Sequence, residues 1–341
     1  MRLILTGLVG LGLAVAFAAT GATAQQQADP TRAHDPAIIK HGDTYYVFAT
    51  ANGISMRRSQ DLVNWEMLPP VFGELPGMLP TWAAEEVPGV RNIWAPDISY
   101  FNGKYHLYYS LSTFGSNRSA IGLASNQTLD PADPEYRWDD QGKVVESFPG
   151  VSTHNAIDPN VVLDEQGQPW LSWGSFWGGV KMRKLDPSTG LVSQEDTTLY
   201  SLAARTSTEA VQGPNRPRSV EAPFIIRRGE YYYQFLSFDR CCSGVRSTYN
   251  IRVGRSEEVT GPYVDAIGVR MTRGGGTLVL AGVGRIRGPG HNSVLIEGDR
   301  HYLVHHYYDA EDNGRSKLQI RPLTWTEDGW PVAEEPLAPS R

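Results

Sequence analysis

Residues 33–50 read AHDPAIIKHGDTYYVFAT, and the same order of side chains returns in four later stretches, at residues 94–110, 156–174, 220–237 and 288–307. Each stretch has a hydrogen-bonding or ionisable side chain, a short apolar run, a turn with a glycine and an aromatic-rich run. The leading side chains lie 61 to 70 positions apart and are Asp35, Asp97, Asp158, Glu221 and His291. A repeat this regular predicts five copies of one structural unit.

Each copy predicts a β-hairpin, because two runs of strand-forming residues meet at a glycine turn. The turn glycines are Gly42, Gly103, Gly167, Gly229 and Gly298. A more polar strand-like stretch follows each hairpin, so every period holds three or four short antiparallel strands and no helical periodicity. Units of this kind repeated around an axis form a β-propeller. The predicted fold is therefore all-β, a five-bladed β-propeller.

Equivalent residues of a propeller lie on a ring around its central channel. The five leading side chains precede the strand of each blade that lies nearest the axis. We therefore expect four carboxylates and a histidine to converge at one mouth of the channel. Hydrolysis of a glycosidic bond with inversion needs such a set, since one carboxylate activates water and a second carboxyl group protonates the leaving oxygen. Repulsion from an ionised neighbour keeps the acid protonated.

The N-terminus predicts a secreted protein. Residues 1–24 combine one arginine, an apolar stretch and the small-residue ending Ala22-Thr23-Ala24, which is typical of a cleaved signal peptide. The apolar stretch is short and rich in glycine, so a membrane anchor is the weaker interpretation. Residues 25–341 are predicted to form a single domain, a monomer that stays off the membrane once the signal is removed. Its acidic balance, with 37 acidic residues in the whole chain against 31 basic ones, argues against nucleic acid as a partner.

The two cysteines, Cys241 and Cys242, are adjacent. A disulfide between neighbouring residues would be strained, because Cα atoms across a trans peptide are only about 3.8 Å apart. Two free thiols are the alternative, and the residues alone leave both open. The sequence has no pattern of cysteines and histidines typical of a zinc site.

The motifs AHDP, NAIDPN and SVEAPF occur in that order along the chain. They resemble the Asp, Asp, Glu triad in the five-bladed propellers of glycoside hydrolase family 43. The segments NIWAPD, WGSFWGG, STYNIRVGRS and GPGHNS resemble more narrowly its endo-α-1,5-L-arabinanases. The resemblance covers about residues 33–330. It implies a secreted enzyme that cleaves internal α-1,5 linkages of arabinan or arabino-oligosaccharides with inversion.

The resemblance also implies a role for each member of the triad. Asp35 would be the general base that holds the attacking water, Glu221 the general acid, and Asp158 the residue that orients the acid and raises its pKa. The longer side chain of Glu221 agrees with the need to reach a leaving oxygen. Asp97 has the same neighbouring proline, but the resemblance gives it no catalytic role, and a structural hydrogen bond is an equal alternative.

His291 resembles the axial histidine of the family, which in several arabinanases sits beside or binds a metal. The resemblance thus predicts one calcium or sodium ion in the central channel, at His291, and no organic cofactor. Calcium prefers oxygen ligands, so a histidine by itself is weak support for this site.

Sugar recognition needs flat apolar faces and convergent hydrogen-bonding groups. The predicted substrate-binding residues lie in loops expected to open onto the mouth and are Trp94, Phe114, Asn155, Ser175, Phe176 and Trp177. Each aromatic side chain could instead pack between blades. Two segments, residues 67–92 and 205–218, are long enough to form walls of a binding groove.

Three alternatives remain at this stage. The first is another activity of the same family, such as an exo-acting arabinanase, an α-L-arabinofuranosidase or a β-xylosidase. The second is a carbohydrate-binding propeller without activity, although a lectin would be expected to repeat one set of binding residues in every blade. The third is a retaining fructan hydrolase, whose Asn-Asp-Pro is replaced here by His34-Asp35-Pro36.

Overall fold

The computed structural model describes residues 29–205 and 219–338. The predicted signal peptide at residues 1–24 and nearly all of the segment 205–218 lie outside the described residues. No helix within the described ranges is long and apolar enough to cross a membrane.

Five four-stranded antiparallel sheets make up the described chain, which confirms the prediction of a five-bladed β-propeller. Each sheet uses four consecutive strands in sequence order. The strands are Ala37–His41 (β1), Thr44–Ala49 (β2), Ser55–Ser59 (β3) and Glu66–Leu68 (β4) in blade 1; Ile93–Phe101 (β5), Lys104–Leu111 (β6), Ser119–Asn126 (β7) and Asp139–Ser147 (β8) in blade 2; Asn160–Leu163 (β9), Pro169–Trp173 (β10), Val180–Lys184 (β11) and Tyr200–Ala203 (β12) in blade 3; Val220–Arg228 (β13), Tyr231–Phe238 (β14), Asn250–Ser256 (β15) and Thr277–Leu280 (β16) in blade 4; and Ile286–Glu297 (β17), Arg300–Asp309 (β18), Arg315–Trp325 (β19) and Pro331–Ala333 (β20) in blade 5.

Helical structure in the described ranges is limited to single turns. One short α-helix, Ala83–Glu86 (α1), lies between blades 1 and 2. The 3₁₀ turns are Pro76–Met78, Gly244–Arg246, Met271–Arg273 and Ala310–Asp312.

The five turn glycines all lie between the first and second strands of their blades, as predicted. Their φ angles run from 57° to 76°, in the left-handed region. A Cβ atom at any of the five would meet no other atom within 4 Å. Glycine is therefore favoured there by backbone conformation and not by lack of space.

Five apolar clusters hold the blades together, one between each neighbouring pair. The cluster that closes the ring joins Ile38 and Val47 of blade 1 to Leu295 and Val304 of blade 5. The Ser293 hydroxyl also donates a 2.9 Å hydrogen bond to the carbonyl of Pro36. Each first strand contacts the first strands of the blades on either side, and β1 contacts both β5 and β17. The innermost strands thus surround one axis.

The segment 67–92 contributes to the core. Its first two residues end β4, and Phe72, Ala83 and Val87 are buried in the cluster between blades 1 and 2. The segment is therefore anchored to the propeller by apolar packing.

Candidate active site

The five first strands reach the axis through one unusual backbone conformation. Each blade has a non-glycine residue with φ between 39° and 58° there, and these ring residues are Asp35, Ala95, Asp158, Ala222 and His291. The first four precede a proline. In blades 2, 4 and 5 the strand pairing shifts register across this point, as in a β-bulge. Such conformations cost about 1–3 kcal/mol each and need support from their surroundings.

The backbone conformation of these ring residues is stabilised by side chains near the end of the second strand of the preceding blade. The backbone N–H of a ring residue donates a hydrogen bond of 2.7 to 3.0 Å to each of these acceptor residues, which are Thr50, Ser110, Ser237 and His306. Blade 3 has Gly174 beyond the end of its second strand. Glycine has no side chain to accept the N–H of Ala222, and Asp158 Oδ2 accepts that N–H instead, at 3.1 Å.

This register corrects the sequence-based assumption that Asp97 and Glu221 occupy the same position in their blades as Asp35. Glu221 lies one residue before its ring residue, and Asp97 lies two residues after its own. Asp97 accepts hydrogen bonds from Val161 N at 2.8 Å and Asn160 Nδ2 at 3.3 Å, across the interface between blades 2 and 3. Burial raises its pKa to about 7. Asp97 is thus a structural bridge between blades, and the ring of four equivalent carboxylates is not formed.

Asp35 is held by three donors. His34 Nδ1 lies 2.9 Å and Thr50 Oγ1 2.6 Å from Oδ2, and His291 Nδ1 lies 3.1 Å from Oδ1. Burial alone would raise the pKa of this carboxyl, but His34 and His291 hold it well below its usual value. A carboxylate has about four acceptor positions, so one is left for a water molecule. Asp35 is therefore ionised and suited to accept a proton from water.

Glu221 has the opposite character. Its side chain is buried, and its Oε2 accepts a 2.5 Å hydrogen bond from Ser175 Oγ. Tyr249 is a second hydrogen-bonding partner. Burial raises the pKa of Glu221, and the negative charge of Asp35 raises it further, although both hydrogen bonds act in the other direction. Glu221 is therefore suited to hold a proton that it can donate.

Asp158 connects the two halves of the site. Its Oδ2 binds the N–H of Ala222, directly after Glu221, and so fixes the backbone that carries Glu221. Burial raises the pKa of Asp158 to about 8, with further contributions from the charges of Glu221 and Asp35. The three carboxyl groups predicted from the sequence are thus close enough for their charges to interact.

His291 lies among these carboxyl groups as their counter-charge. Burial lowers the pKa of its imidazole, but Asp35, Asp158 and Glu221 together raise it to about 9. The described side chains close enough to share an ion are His34, Asp35 and His306, and His291 is not in this group. Two imidazoles and one carboxylate do not fit calcium, which takes six to eight oxygen ligands.

The four aromatic residues predicted to bind substrate differ in how exposed they are. Trp94 is half-buried and packs against Phe114 with ring centroids 4.9 Å apart. Phe114, Phe176 and Trp177 are 82%, 48% and 49% exposed, so these rings are free to contact a ligand.

The two polar residues are both buried. Ser175 is committed to Glu221. Asn155 Oδ1 is buried and has no hydrogen-bond partner among the described residues.

Four residues of the site were not predicted from the sequence. His34, Thr50, Tyr249 and His306 contact the triad directly or hold its backbone. The signal that could have found Thr50 is the polar residue that ends the second strand in FAT, YYS and FLS. Tyr249 and His306 carry no comparable local signal.

Comparison with known proteins gives one matching family. The model of Glycosyl hydrolases family 43 matches residues 29–331. An extracellular exo-α-(1→5)-L-arabinofuranosidase of Cellvibrio japonicus is 44% identical over 305 residues, covering 89% of this chain and 86% of that protein. An extracellular endo-α-(1→5)-L-arabinanase of Bacillus subtilis is 43% identical over 304 residues, covering 87% of this chain and 86% of that protein.

A solved structure has the same fold. The α-L-arabinanase of Cellvibrio cellulosa, complexed with arabinohexaose, superposes with a TM-score of 0.83 at 42% identity. The match covers 90% of this chain and 96% of that one.

Proposed function

The chain belongs to glycosyl hydrolase family 43, and we propose that it cleaves internal α-1,5 linkages between arabinofuranose units of arabinan. Membership of a family of hydrolases favours this over a carbohydrate-binding propeller without activity. The observation that carries the proposal is the contrast between Asp35 and Glu221. Their environments lower the pKa of Asp35 and raise the pKa of Glu221, which favours an ionised base and a protonated acid.

The proposed reaction is a single displacement with inversion, the outcome expected when a water molecule fits between base and acid. Asp35 accepts a proton from the water as its oxygen attacks the anomeric carbon. Glu221 donates its proton to the leaving oxygen on the other side of the sugar, so the glycosidic bond breaks as the new bond forms. Asp158 holds the backbone beside Glu221, and His291 balances the negative charge.

The site's exposed rings support cleavage within a chain. Phe114, Phe176 and Trp177 are open to solvent, as expected of a groove that accepts a polymer from the side. The specific observation that favours exo-action is the similarity to the Cellvibrio japonicus enzyme, whose name describes release from chain ends. Arabinan or its oligosaccharides is the substrate in both cases.

A product time course decides between the two modes. Linear debranched arabinan, branched arabinan and xylan would be incubated with the enzyme while viscosity is followed. A fast fall in viscosity with mixed oligosaccharides from linear arabinan is the expected result. A single short product with little loss of viscosity would assign the exo mode, and turnover of xylan alone would reject arabinan.

Variants of the triad test the assigned residues. Asp35→Ala, Asp158→Ala and Glu221→Ala are each expected to lose nearly all turnover of arabinan while keeping the fold, checked by circular dichroism. Ordinary turnover by Glu221→Ala would show that another group supplies the proton.

The proposal includes export from the cell. It is supported by the signal pattern at residues 1–24 and by two relatives named extracellular. N-terminal sequencing of the exported protein should begin at Gln25. A monomeric state stays a prediction. A calcium or sodium ion at His291 also stays a prediction, and His291 lies outside the group of described side chains close enough to share an ion.

A further inference from the structure

A disulfide closes the loop that follows β14. Cys241 and Cys242 are bonded to each other, which settles the alternative left open by the sequence. The ring that this bond closes includes the peptide between the two residues. The N–H of that peptide, on Cys242, donates a 2.8 Å hydrogen bond to Tyr308 Oη. Cys242 has a φ of 60°, so the loop presents this N–H from an unusual conformation for a non-glycine residue.

The hydrogen bonds continue from this loop to the base. Tyr308 Oη lies 2.9 Å from His34 Nε2, and His34 Nδ1 lies 2.9 Å from Asp35 Oδ2. Cys242 Sγ also lies 3.9 Å from His34 Nε2. A disulfide with an exposed sulfur is thus two side chains away from the carboxylate that we assign as general base.

The donors are fixed at the two ends of this path. An ionised carboxylate only accepts, so the hydrogen shared with Asp35 belongs to His34 Nδ1. His34 Nε2 and the phenol of Tyr308 share the next hydrogen bond. Burial raises the pKa of Tyr308 above its usual value, which keeps that phenol protonated. The Tyr308 oxygen is in turn fixed by the N–H of Cys242.

Removal of His34 would leave Oδ2 of Asp35 with Thr50 as its remaining donor. The carboxylate torsion of aspartate is broad, so a carboxylate held at fewer points is less well aimed. A general base works only when its lone pair faces the proton that it accepts. We propose that His34 and Tyr308 are positioning residues for Asp35, and that the Cys241–Cys242 ring fixes the outer end of this path. The inference rests on the proposed role of Asp35.

Other ionisable groups also face Asp35 and must be considered in any pH profile. His306 stacks on His34 with centroids 4.1 Å apart, and its Nδ1 accepts the N–H of Asp35. Burial holds the pKa of His306 well below its usual value, so this ring stays neutral. His291, Asp158 and Glu221 face Asp35 from the other blades.

The first test compares Tyr308→Phe and His34→Asn with wild type on linear arabino-oligosaccharides. Tyr308→Phe should lower kcat about tenfold, since a hydrogen bond in a path to a charged group is lost. His34→Asn should lower kcat by up to roughly a hundredfold, the effect expected of a displacement of about 1 Å in the base. KM should stay unchanged in both. Tyr307→Phe is the matched control, because that tyrosine on the same strand interacts with Asp309 and Arg285 instead of the triad.

An aryl α-L-arabinotrioside with a good leaving group separates base from acid. The same loss of kcat is expected on it, because activation of water is impaired and protonation of the leaving group is not. Recovery on this substrate would place the defect at Glu221 and overturn the inference. A normal kcat in both Tyr308→Phe and His34→Asn would also overturn the inference, provided that wild type is active and Asp35→Ala is inactive. An active Asp35→Ala would instead reject the proposed function.

The disulfide is tested in the wild-type protein, which avoids a variant that fails to fold. A small dithiol reduces the bond, giving two electrons and two protons to the two sulfurs and becoming a disulfide itself. We expect kcat to fall severalfold and to return on reoxidation. The double variant Cys241→Ser with Cys242→Ser should show the same lowered kcat and no response to the dithiol. Thiol titration would verify that the bond is reduced. An unchanged kcat after reduction would show that the disulfide does not help to position Asp35.

Discussion

The support of the strained ring residues predicts a measurable effect of Ser237→Ala. Ser237 is fully buried, and its Oγ accepts the N–H of His291 at 2.7 Å. His291 has a φ of 46° and lies at the centre of the carboxyl groups. Alanine leaves this N–H buried without its acceptor, while the volume of the side chain changes little.

The size of the effect follows from the cost of an unsatisfied buried donor, about 1–3 kcal/mol. The entropy of unfolding is about 2.1 cal/mol/K per residue, which for a domain of roughly 300 residues gives about 0.6 kcal/mol per degree. Ser237→Ala should therefore lower the melting temperature by about 2–5 °C. It should also lower kcat, because His291 Nδ1 holds Oδ1 of Asp35.

Calorimetry of wild type, Ser237→Ala and Ser172→Ala tests this reasoning. Ser172 is the matched control: it is equally buried, but its hydroxyl donates a long 3.3 Å bond to the carbonyl of Asn160 and supports no ring residue. The control should lose less than about 1 kcal/mol. Equal melting temperatures for the two variants, or an unchanged Ser237→Ala, would refute the idea that these acceptors stabilise the ring.

Three further predictions follow from the site. The profile of kcat/KM against pH should be bell-shaped. Activity should fall at low pH when Asp35, with its lowered pKa, is protonated, and at high pH when Glu221, with its raised pKa, loses its proton. A rise in activity through the basic range would contradict this prediction. An aryl substrate that needs no protonation should restore turnover to Glu221→Ala and leave Asp35→Ala inactive, as measured by release of the aryl group. Phe114→Ala should raise KM for oligosaccharides about two- to tenfold with kcat and melting temperature unchanged, because the exposed ring contributes contact with substrate and little to the core; a lower melting temperature would show that it packs structurally.

The fold was predictable because its signal repeats. Five hairpins with glycine turns and five apolar runs specify the blades without knowledge of their packing. The register at the axis was not predictable to the residue. The sequence aligns Asp97 and Glu221 with Asp35 because all three are acidic. In the structure, the equivalent residues are those with positive φ, and two of these are alanines.

Residues of the candidate site could be predicted only where they lie on the repeat or in motifs that resemble the family. Asp35, Asp158 and Glu221 have such signals. His34 is adjacent to Asp35 in sequence, yet its role depends on Tyr308, 274 residues away. Tyr249 and His306 are also distant from the residues that they hold. Contacts of this kind arise when the ring closes, and no local pattern records them.

The same geometry explains why the pKa values of Asp35 and Glu221 shift in opposite directions. The ring places one backbone position from each blade at the same mouth, but the blades differ in what surrounds that position. Asp35 receives donors from blade 1 and blade 5, which favour the ionised form. Glu221 enters one residue earlier and lies buried beside Ser175 and Tyr249, with Asp35 as a negative neighbour. Ionising Asp35 therefore makes it harder to ionise Glu221, so the charge of the proposed base helps to keep the proposed acid protonated. A change that neutralises Asp35 should thus lower the pKa of Glu221 as well as remove the base.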